Sequence, residues 1–429
     1  MSESSEPFSQ GYARYALGLL LVVYIFNFID RSILSILLQS IKEEFQVSDA
    51  ALGFLSGIAF AALYTIVGIP LARLSDRGSR SSIIALAVFV WSAMTAITGL
   101  AQTFFHLVLA RIGVGIGEAG CSPPAHSLIS DYFPPSQRAT ALAVYSMGIP
   151  IGSGLGFVLG GWLNDAFDWR TAFIVAGLPG IALALIVKLT LKEPRRGVFD
   201  DLRARRQPQP PVGQVLSFMR GLHSFRHMAV GAALHAFYGY GAAAFVAAFF
   251  ERSHDMRSGE IGSWLALISL TAGVTGTFLG GYLSDRLGAR DRRWYMWIPA
   301  GATFVYIPFA FGLYLWPEPY LALAFYLPGS VLGGMYLGPT FAMTLTLVTP
   351  TMRATASAIL LFVINMIGLG LGPLGVGIFS DLLGPSLGNE SLRYALLATV
   401  VAFAAWSVLH YMLAARTLRD DLGASAREN

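Results

Sequence analysis

The sequence predicts an all-α membrane protein with twelve transmembrane helices in two pseudo-symmetric six-helix bundles. Three observations predict it. The chain is 55% hydrophobic and only 13% charged. Apolar segments repeat from one end to the other. Loop and helix-start motifs recur at offsets of 209 and 215 residues.

Composition comes first. A soluble domain carries about 25% charged residues, so roughly half of the usual solvated surface is missing. A bilayer-spanning helix needs about 20 mostly apolar residues. Such segments fall at roughly 14–40, 50–74, 82–101, 105–130, 137–163, 171–191, 226–250, 259–284, 294–315, 319–348, 353–381 and 392–415. They are too long and too uniformly apolar for the alternation of a membrane β-barrel. Pro150, Pro179, Pro299, Pro328 and Pro373 fall inside them, which a bilayer tolerates when neighbouring groups satisfy the freed backbone. Residues 1–13 are polar and lack a basic start, so no cleavable signal peptide is expected. Cys121 is the single cysteine, which excludes an intramolecular disulfide and C-x-x-C metal or redox sites.

The hydrophilic stretch 192–224 follows six segments and precedes six more. It divides the chain into an N-terminal bundle (1–191), a basic, proline-rich linker (192–224), and a C-terminal bundle with a short tail (225–429). Placing both termini in the cytoplasm puts 22 basic residues inside and 5 outside, as positive-inside bias requires. The basic residues therefore serve topology, and no nucleic-acid partner is expected. A multi-pass membrane location with both termini cytoplasmic is therefore expected.

The duplication is visible in two places. Ser75-Asp76-Arg77-Gly78-Ser79-Arg80 follows the second segment, and Ser284-Asp285-Arg286-Leu287-Gly288-Ala289-Arg290 follows the eighth. Arg138-Ala139-Thr140-Ala141 opens the fifth segment, and Arg353-Ala354-Thr355-Ala356 opens the eleventh. One six-helix unit has been used twice.

These features resemble the major facilitator superfamily over essentially the whole chain. The loop after the eighth segment matches the family signature more fully. The first copy lacks the residue before its glycine and has Ala72 where the family prefers glycine. Asn27-Phe28-Ile29-Asp30-Arg31 and Arg111-Ile112-Gly113-Val114-Gly115-Ile116-Gly117-Glu118-Ala119 further resemble the spinster group of lipid transporters, in particular a bacterial homologue. The glycine-rich fifth segment resembles the superfamily's antiporter signature without its Gly-Pro, while the eleventh segment carries Gly372-Pro373. Packing is the plainer role for these glycines.

Sorting the charges isolates four residues. Arg31 and Arg111 are the basic residues left inside the bilayer, and Asp30 and Glu118 are the only acids well within a segment. An unpaired charge at a helix centre costs about 2.5–3.5 kcal/mol or more, so such residues face a cavity or one another and are functional by default. Asp30 lies twelve residues from Lys42, and Glu118 twelve from His106. At about 1.5 Å per residue both sit some 18 Å below the outer surface, near the midplane. Arg111 and Glu118 are about 10 Å apart along the axis, too far for a usual pair. Glu118 is therefore expected to share a site with Asp30 and Arg31. A static ion-pair network joining the two segments is the bland alternative.

The resemblance implies that the first, fourth, seventh and tenth segments line a central cavity. Tyr238 in the seventh and Tyr336 in the tenth then face the charged wall, with Asn27 beside Asp30. One charged and one apolar wall suits an amphipathic substrate. The expected assignment is Asp30 and Glu118 for proton coupling, with Arg31, Arg111, Asn27, Tyr238 and Tyr336 for substrate binding. His235, His410 and Asn365 are expected to be hydrogen-bonded core groups. The resemblance also implies gate pairs, Asp76–Arg353 and Asp285–Arg138, which approach when the cavity opens outward and separate when it opens inward. At a wet boundary each is worth about 1 kcal/mol or less.

The function expected is a proton-coupled secondary transporter for an amphipathic lipid-like substrate, of lysolipid or sphingoid-phosphate type. The lipid class is implied by the spinster resemblance. An exporter of drugs or small organic anions is the second reading, and a non-transporting membrane sensor is one from another class. No P-loop is present, and no nucleophile–base pair or metal-ligand spacing stands out, so neither an enzyme nor a cofactor is expected. The partners are the substrate, protons and the membrane, and the chain is expected to act as a monomer.

Overall fold

Among the described residues, the computed structural model has eleven helical stretches long and apolar enough to cross a membrane, the last of which holds two helices, so that twelve helices follow in two groups of six. It describes residues 8–196, 198–199 and 210–428; the side chains of Ile69, Ala72, Asp76, Ala139 and residues 424–428 lie outside the described set. The N-terminal half contains α1 (Gln10–Phe45), α2 (Asp49–Ser56 and Ile58–Arg77), α3 (Arg80–Thr98), α4 (Phe104–Glu118 and Ser122–Tyr132), α5 (Pro135–Ser146 and Gly148–Ala166) and α6 (Trp169–Thr190). The C-terminal half contains α7 (His223–His254), α8 (Ser258–Gly288), α9 (Trp294–Leu315) and α10 (Pro319–Gly334 and Leu337–Thr346). It ends with α11, which runs Arg353–Ile364, a π-helical turn Asn365–Leu371 and Gly372–Leu387, and α12 (Ser391–Glu428). A short helix, Val212–Gly221, lies in the linker and buries Val215 and Met219 against the C-terminal half.

Local sequence starts these helices. Side chains of Ser9, Ser48, Ser79, Thr103 and Asp168 cap α1, α2, α3, α4 and α6 by accepting a backbone N–H two or three residues on. Leu189, Phe167 and Leu382 are more than 70% exposed. Large apolar side chains in that position are at home against lipid tails.

Glycines set the closest helix contacts. Gly148, Gly152, Gly156 and Gly160 recur every fourth residue, one face of α5, and meet Tyr24, Ile25, Ile29 and Ile36 of α1. A Cβ on Gly156 would lie 2.7 Å from the Ile29 carbonyl oxygen. This is the packing role, small residues letting backbones approach. We expect Gly156→Leu to cost roughly 1–3 kcal/mol of stability and Gly156→Ala less. The detergent-solubilised melting temperature reads it, and equal melting for all three proteins would mean that α5 does not seat on α1 in this way.

The core is divided in a way that reveals the conformation. One buried cluster joins both halves, from Ile33, Leu37 and Leu52 to Phe245, Phe249, Ile261 and Leu396. All of these lie toward the face opposite the linker, called here the far side. On the linker side there are two separate clusters. One has its buried residues in the N-terminal half, around Leu20, Trp91 and Tyr145, with Leu369 of α11 packed against it. The other is confined to the C-terminal half, around Met228, Met343 and Tyr411. The halves share a core on the far side and part on the linker side.

Candidate functional site: crossed ion pairs on a two-walled cavity

All four intramembrane charges meet between α1 and α4, and they pair crosswise. Nε of Arg31 donates to Oε2 of Glu118 at 2.7 Å. A terminal guanidinium nitrogen of Arg111 lies 3.6 Å from Oδ1 of Asp30. Glu118 thus lies together with Arg31 and Asp30, and it pairs with Arg31 rather than Arg111. Consecutive residues of α1 point to different partners, one toward the far-side part of α4 and one toward its break after Glu118.

Exposure separates the members of each pair. The Arg31 side chain is 22% exposed while that of Glu118 is 0%. Arg111 and Asp30 are at 9% and 5%. The arginines therefore form the front of the site and the carboxylates its back. Phe60 of α2 binds the two fronts together. Its ring centroid is 4.9 Å from the Arg31 guanidinium carbon and 4.7 Å from that of Arg111. Phe28 and Tyr64 also lie about 5 Å from Arg31. Desolvated cation–π contacts are worth about 2 kcal/mol, so these rings help to hold cations in an apolar setting. Among the described residues, Nε of Arg111 and Oε1 of Glu118 have no hydrogen-bond partner, and the pairs are thus not saturated.

A cavity of about 370 Å³ lies between the halves, with Arg31, Arg111 and Phe60 on one wall and Tyr240, Tyr326 and Ser330 on the other. It continues into a chamber of about 290 Å³ inside the C-terminal half, sharing Tyr240, Tyr326 and Ser330. Tyr238 and Tyr336 line this chamber. Asn27 is only 2% exposed and is not among the residues lining either space; it sits behind Arg31, beside Glu118. Its place suggests support of the carboxylate rather than direct contact. A larger recess of about 640 Å³ opens on the far-side surface by Lys42, Glu251 and Arg252, with the closure between it and the four charges.

His235 is a buried, hydrogen-bonded group, whereas His410 is hydrogen-bonded but only half-buried, so it is not a core residue. His235 has its two ring nitrogens 2.9 Å from the Thr303 hydroxyl and from the Gly333 carbonyl, and it stacks on Tyr336 at 4.0 Å. His410 meets His227 at 3.0 Å.

The four gate positions occupy the linker side. Arg138 donates to the carbonyls of Ser130 and Phe133 in its own half. Asp285 accepts from the Tyr295 hydroxyl at 2.7 Å, also in its own half. Arg353 begins α11 and is exposed. The Asp76 side chain lies outside the described residues. In the turn that follows Asp285, Asp291 accepts from the Arg293 side chain and backbone and from Arg419, which hold its carboxyl well below the usual range.

The far side carries a lock that sequence reasoning missed. Asp381 of α11 accepts from the backbone N–H groups of Asp49 and Ala50 at 2.9 and 2.8 Å, so it caps α2 of the other half. Asp165 of α5 accepts from the N–H of Gly259 at 3.0 Å, capping α8 of the other half. Asp165 and Asp381 are 216 residues apart, and Ala50 and Gly259 are 209 apart. These are the offsets of the internal repeat to within one residue, so the two caps are copies of one device. Asp49 itself accepts both terminal nitrogens of Arg252 at 2.8 Å, Lys42 at 2.6 Å and Ser380 at 2.6 Å. Backbones touch beneath the α2 cap, with Gly53 against Pro373 and Gly377 against Asp49.

A two-fold arrangement of six-helix halves, sealed at one face around a midplane charge cluster, is the architecture of alternating access. The family model described as Major Facilitator Superfamily matches residues 20–373. The chain belongs to the Major Facilitator Superfamily. It is 35% identical over 419 residues to an MFS-type efflux pump of Mycolicibacterium smegmatis, covering 96% of this chain and 95% of that protein. It is 32% identical over 188 residues to the sphingosine-1-phosphate transporter SPNS2 of Danio rerio, covering 43% of this chain and 37% of that one. Its fold matches the crystal structure of a bacterial homologue of the human lysosomal transporter spinster in an inward-facing, unoccupied conformation. That match has a TM-score of 0.87 at 33% identity, covering 96% of this chain and 99% of that one. The molecule is thus a multi-pass membrane transporter of this superfamily and not an enzyme, similar to spinster proteins.

Proposed function

We propose that this transporter couples the movement of an amphipathic, lipid-like anion to a proton gradient by alternating access. The observation that supports it is the pairing of two partly unsaturated arginine–carboxylate sets with an aromatic chamber across one cavity. An anionic head group competes for Arg31 or Arg111, and the released carboxylate, Asp30 or Glu118, takes up a proton. Neutralising the carboxylate removes the cost of leaving it buried without its partner. The aromatic chamber around Tyr238 and Tyr336 takes the apolar body. A sphingosine-1-phosphate transporter among the similar proteins accords with a lysolipid or sphingoid phosphate. A second reading, export of drugs or small organic anions, draws on the efflux pump that is similar over nearly the full length.

In this proposal the linker side faces the cytoplasm of a bacterial inner membrane, as the basic residues indicate. The two bundles, 1–191 and 225–429, rock about the site as a monomer. The present conformation then opens inward. Asp285 and Arg138 exchange their own-half partners for each other when it opens outward, and Asp76 and Arg353 approach each other in the same state.

Binding tests the head-group assignment. Purified protein is titrated with a lysophosphatidic acid and with the matching neutral monoacylglycerol. Arg111→Ala is expected to weaken the anionic ligand by about tenfold or more, consistent with loss of a charge-assisted hydrogen bond, and the neutral one by much less. Equal weakening of both ligands would remove the anion from the proposal.

A further inference from the structure

Asp30 has a second partner, and it comes from α3, whose residues bordering the site carry no charge. Thr95 of α3 is 2% exposed, and its hydroxyl donates to Oδ2 of Asp30, the carboxylate oxygen not facing Arg111. The same hydroxyl lies 2.9 Å from the carbonyl oxygen of Trp91, one turn earlier in α3. A threonine hydroxyl carries one proton and can give it to only one acceptor at a time. The two acceptors thus offer it two orientations. A void of about 10 Å³ bordered by Asp30, Ser92 and Thr95 leaves room beside them.

We propose that Thr95 is the positioning residue of the proton site at Asp30, reversing its hydrogen bond when that carboxyl gains or loses a proton. With Asp30 ionised, Thr95 donates to Oδ2. With Asp30 protonated on Oδ2, the carboxyl O–H donates to the Thr95 oxygen, and the threonine proton turns to the Trp91 carbonyl. The contact between Oδ2 of Asp30 and the Thr95 hydroxyl keeps one donor and one acceptor in either state. The proton balance is simple: one proton enters at Oδ2, and the hydroxyl proton changes acceptor without leaving Thr95.

The plain alternative is that Thr95 only bonds back to its own helix. Thr98 does so with the Met94 carbonyl, at 2.8 Å. Two features separate Thr95 from Thr98: its hydroxyl reaches across to α1, and the atom reached is a carboxylate oxygen. The charged groups around Asp30 are Arg111 and Glu118 from α4 and Arg31 from α1. From α3 and α6 the bordering residues are Trp91, Ser92, Thr95, Thr98, Phe173, Ala176 and Gly177, none of them charged. A hydroxyl is thus what α3 supplies to tune this acid.

This inference rests on the proposed proton role of Asp30, and infrared spectroscopy tests the two separately. The carboxylic C=O band is titrated with pH in purified, full-length protein without substrate. Asp30→Asn is expected to remove one titrating band, which assigns it. Donation to the charged form favours that form, so Thr95→Val should move the midpoint of that band upward by about one pH unit or more. Thr95→Ser, which keeps the hydroxyl, should restore it. Thr95→Ala serves as a second deletion should valine pack poorly. An unmoved midpoint in the valine and alanine proteins, with the band still lost in Asp30→Asn, overturns the role of Thr95 and leaves the proton role standing. No band lost in Asp30→Asn overturns both.

Discussion

Asp30→Asn and Glu118→Gln are expected to have the largest effect on transport. At least one should abolish proton-gradient-driven uptake of a lysophosphatidic acid into liposomes while leaving its binding measurable. Each amide keeps the shape of the side chain and removes its titration. The two should differ in stability. Asp30→Asn strands Arg111, whose side chain is only 9% exposed, and breaking a buried pair costs about 3–5 kcal/mol. Glu118→Gln strands Arg31, which is 22% exposed to the cavity and keeps three aromatic rings around it. Its stability loss should be smaller. Wild-type uptake rates in both proteins would make the crossed pairs structural and place the coupling residue elsewhere.

Asp381→Ala should release the far side. The substitution leaves the N–H groups of Asp49 and Ala50 without their carboxylate. Hydrogen bonds to a charged group are worth about 1.5–3 kcal/mol each. Solvent and the remaining contacts of Asp49 offset part of this loss. A net change of about 2–3 kcal/mol shifts the equilibrium between far-side-closed and far-side-open forms by roughly 30- to 150-fold. Labelling of Ser56→Cys by a membrane-impermeant maleimide from the far side measures it, because Ser56 lines the cavity below the closure. The native Cys121 is fully buried and can be replaced by serine. Asp165→Ala should act in the same direction and more weakly, since it frees one N–H. Labelling at the wild-type rate in both proteins would show that these caps do not hold the closure.

The charge cluster was legible because the bilayer makes it so. Four ionisable residues stand out when every other charge sits at a helix end, and their depth follows from residue counts. That Arg31 would take Glu118 rather than Asp30 was only partly legible, since helix spacing gives height along an axis but not the rotation between two helices. Asn27 shows the same limit. Phe28, next to it in sequence, lines the cavity, yet the direction of Asn27 from α1 places it behind Arg31. Phe60 and Thr95 carry no sequence mark at all. An aromatic or a threonine in an apolar segment is usual, and only the packing of α2 and α3 on α1 brings them to the charges.

The far-side lock was missed for a different reason. Lys42 and Arg252 belong to the five basic residues placed outside, and Asp49, Asp165 and Asp381 lie at segment ends, where a charge needs no special explanation. The signal was present in the repeat: acids at the ends of α5 and α11 recur 216 residues apart. A carboxylate at one helix end and free N–H groups at the start of another are complementary, but sequence does not say which ends meet.

The sequence by itself determined the membrane class, the twelve helices, the duplication and the four buried charges, because each follows from the cost of placing polar groups in hydrocarbon. The tertiary structure alone decided the crossed pairing, the two joined chambers, the inter-half caps and which face is sealed. Those depend on how helices rotate and cross, and the lipid-facing and partner-facing sides of a membrane helix are built from the same apolar residues.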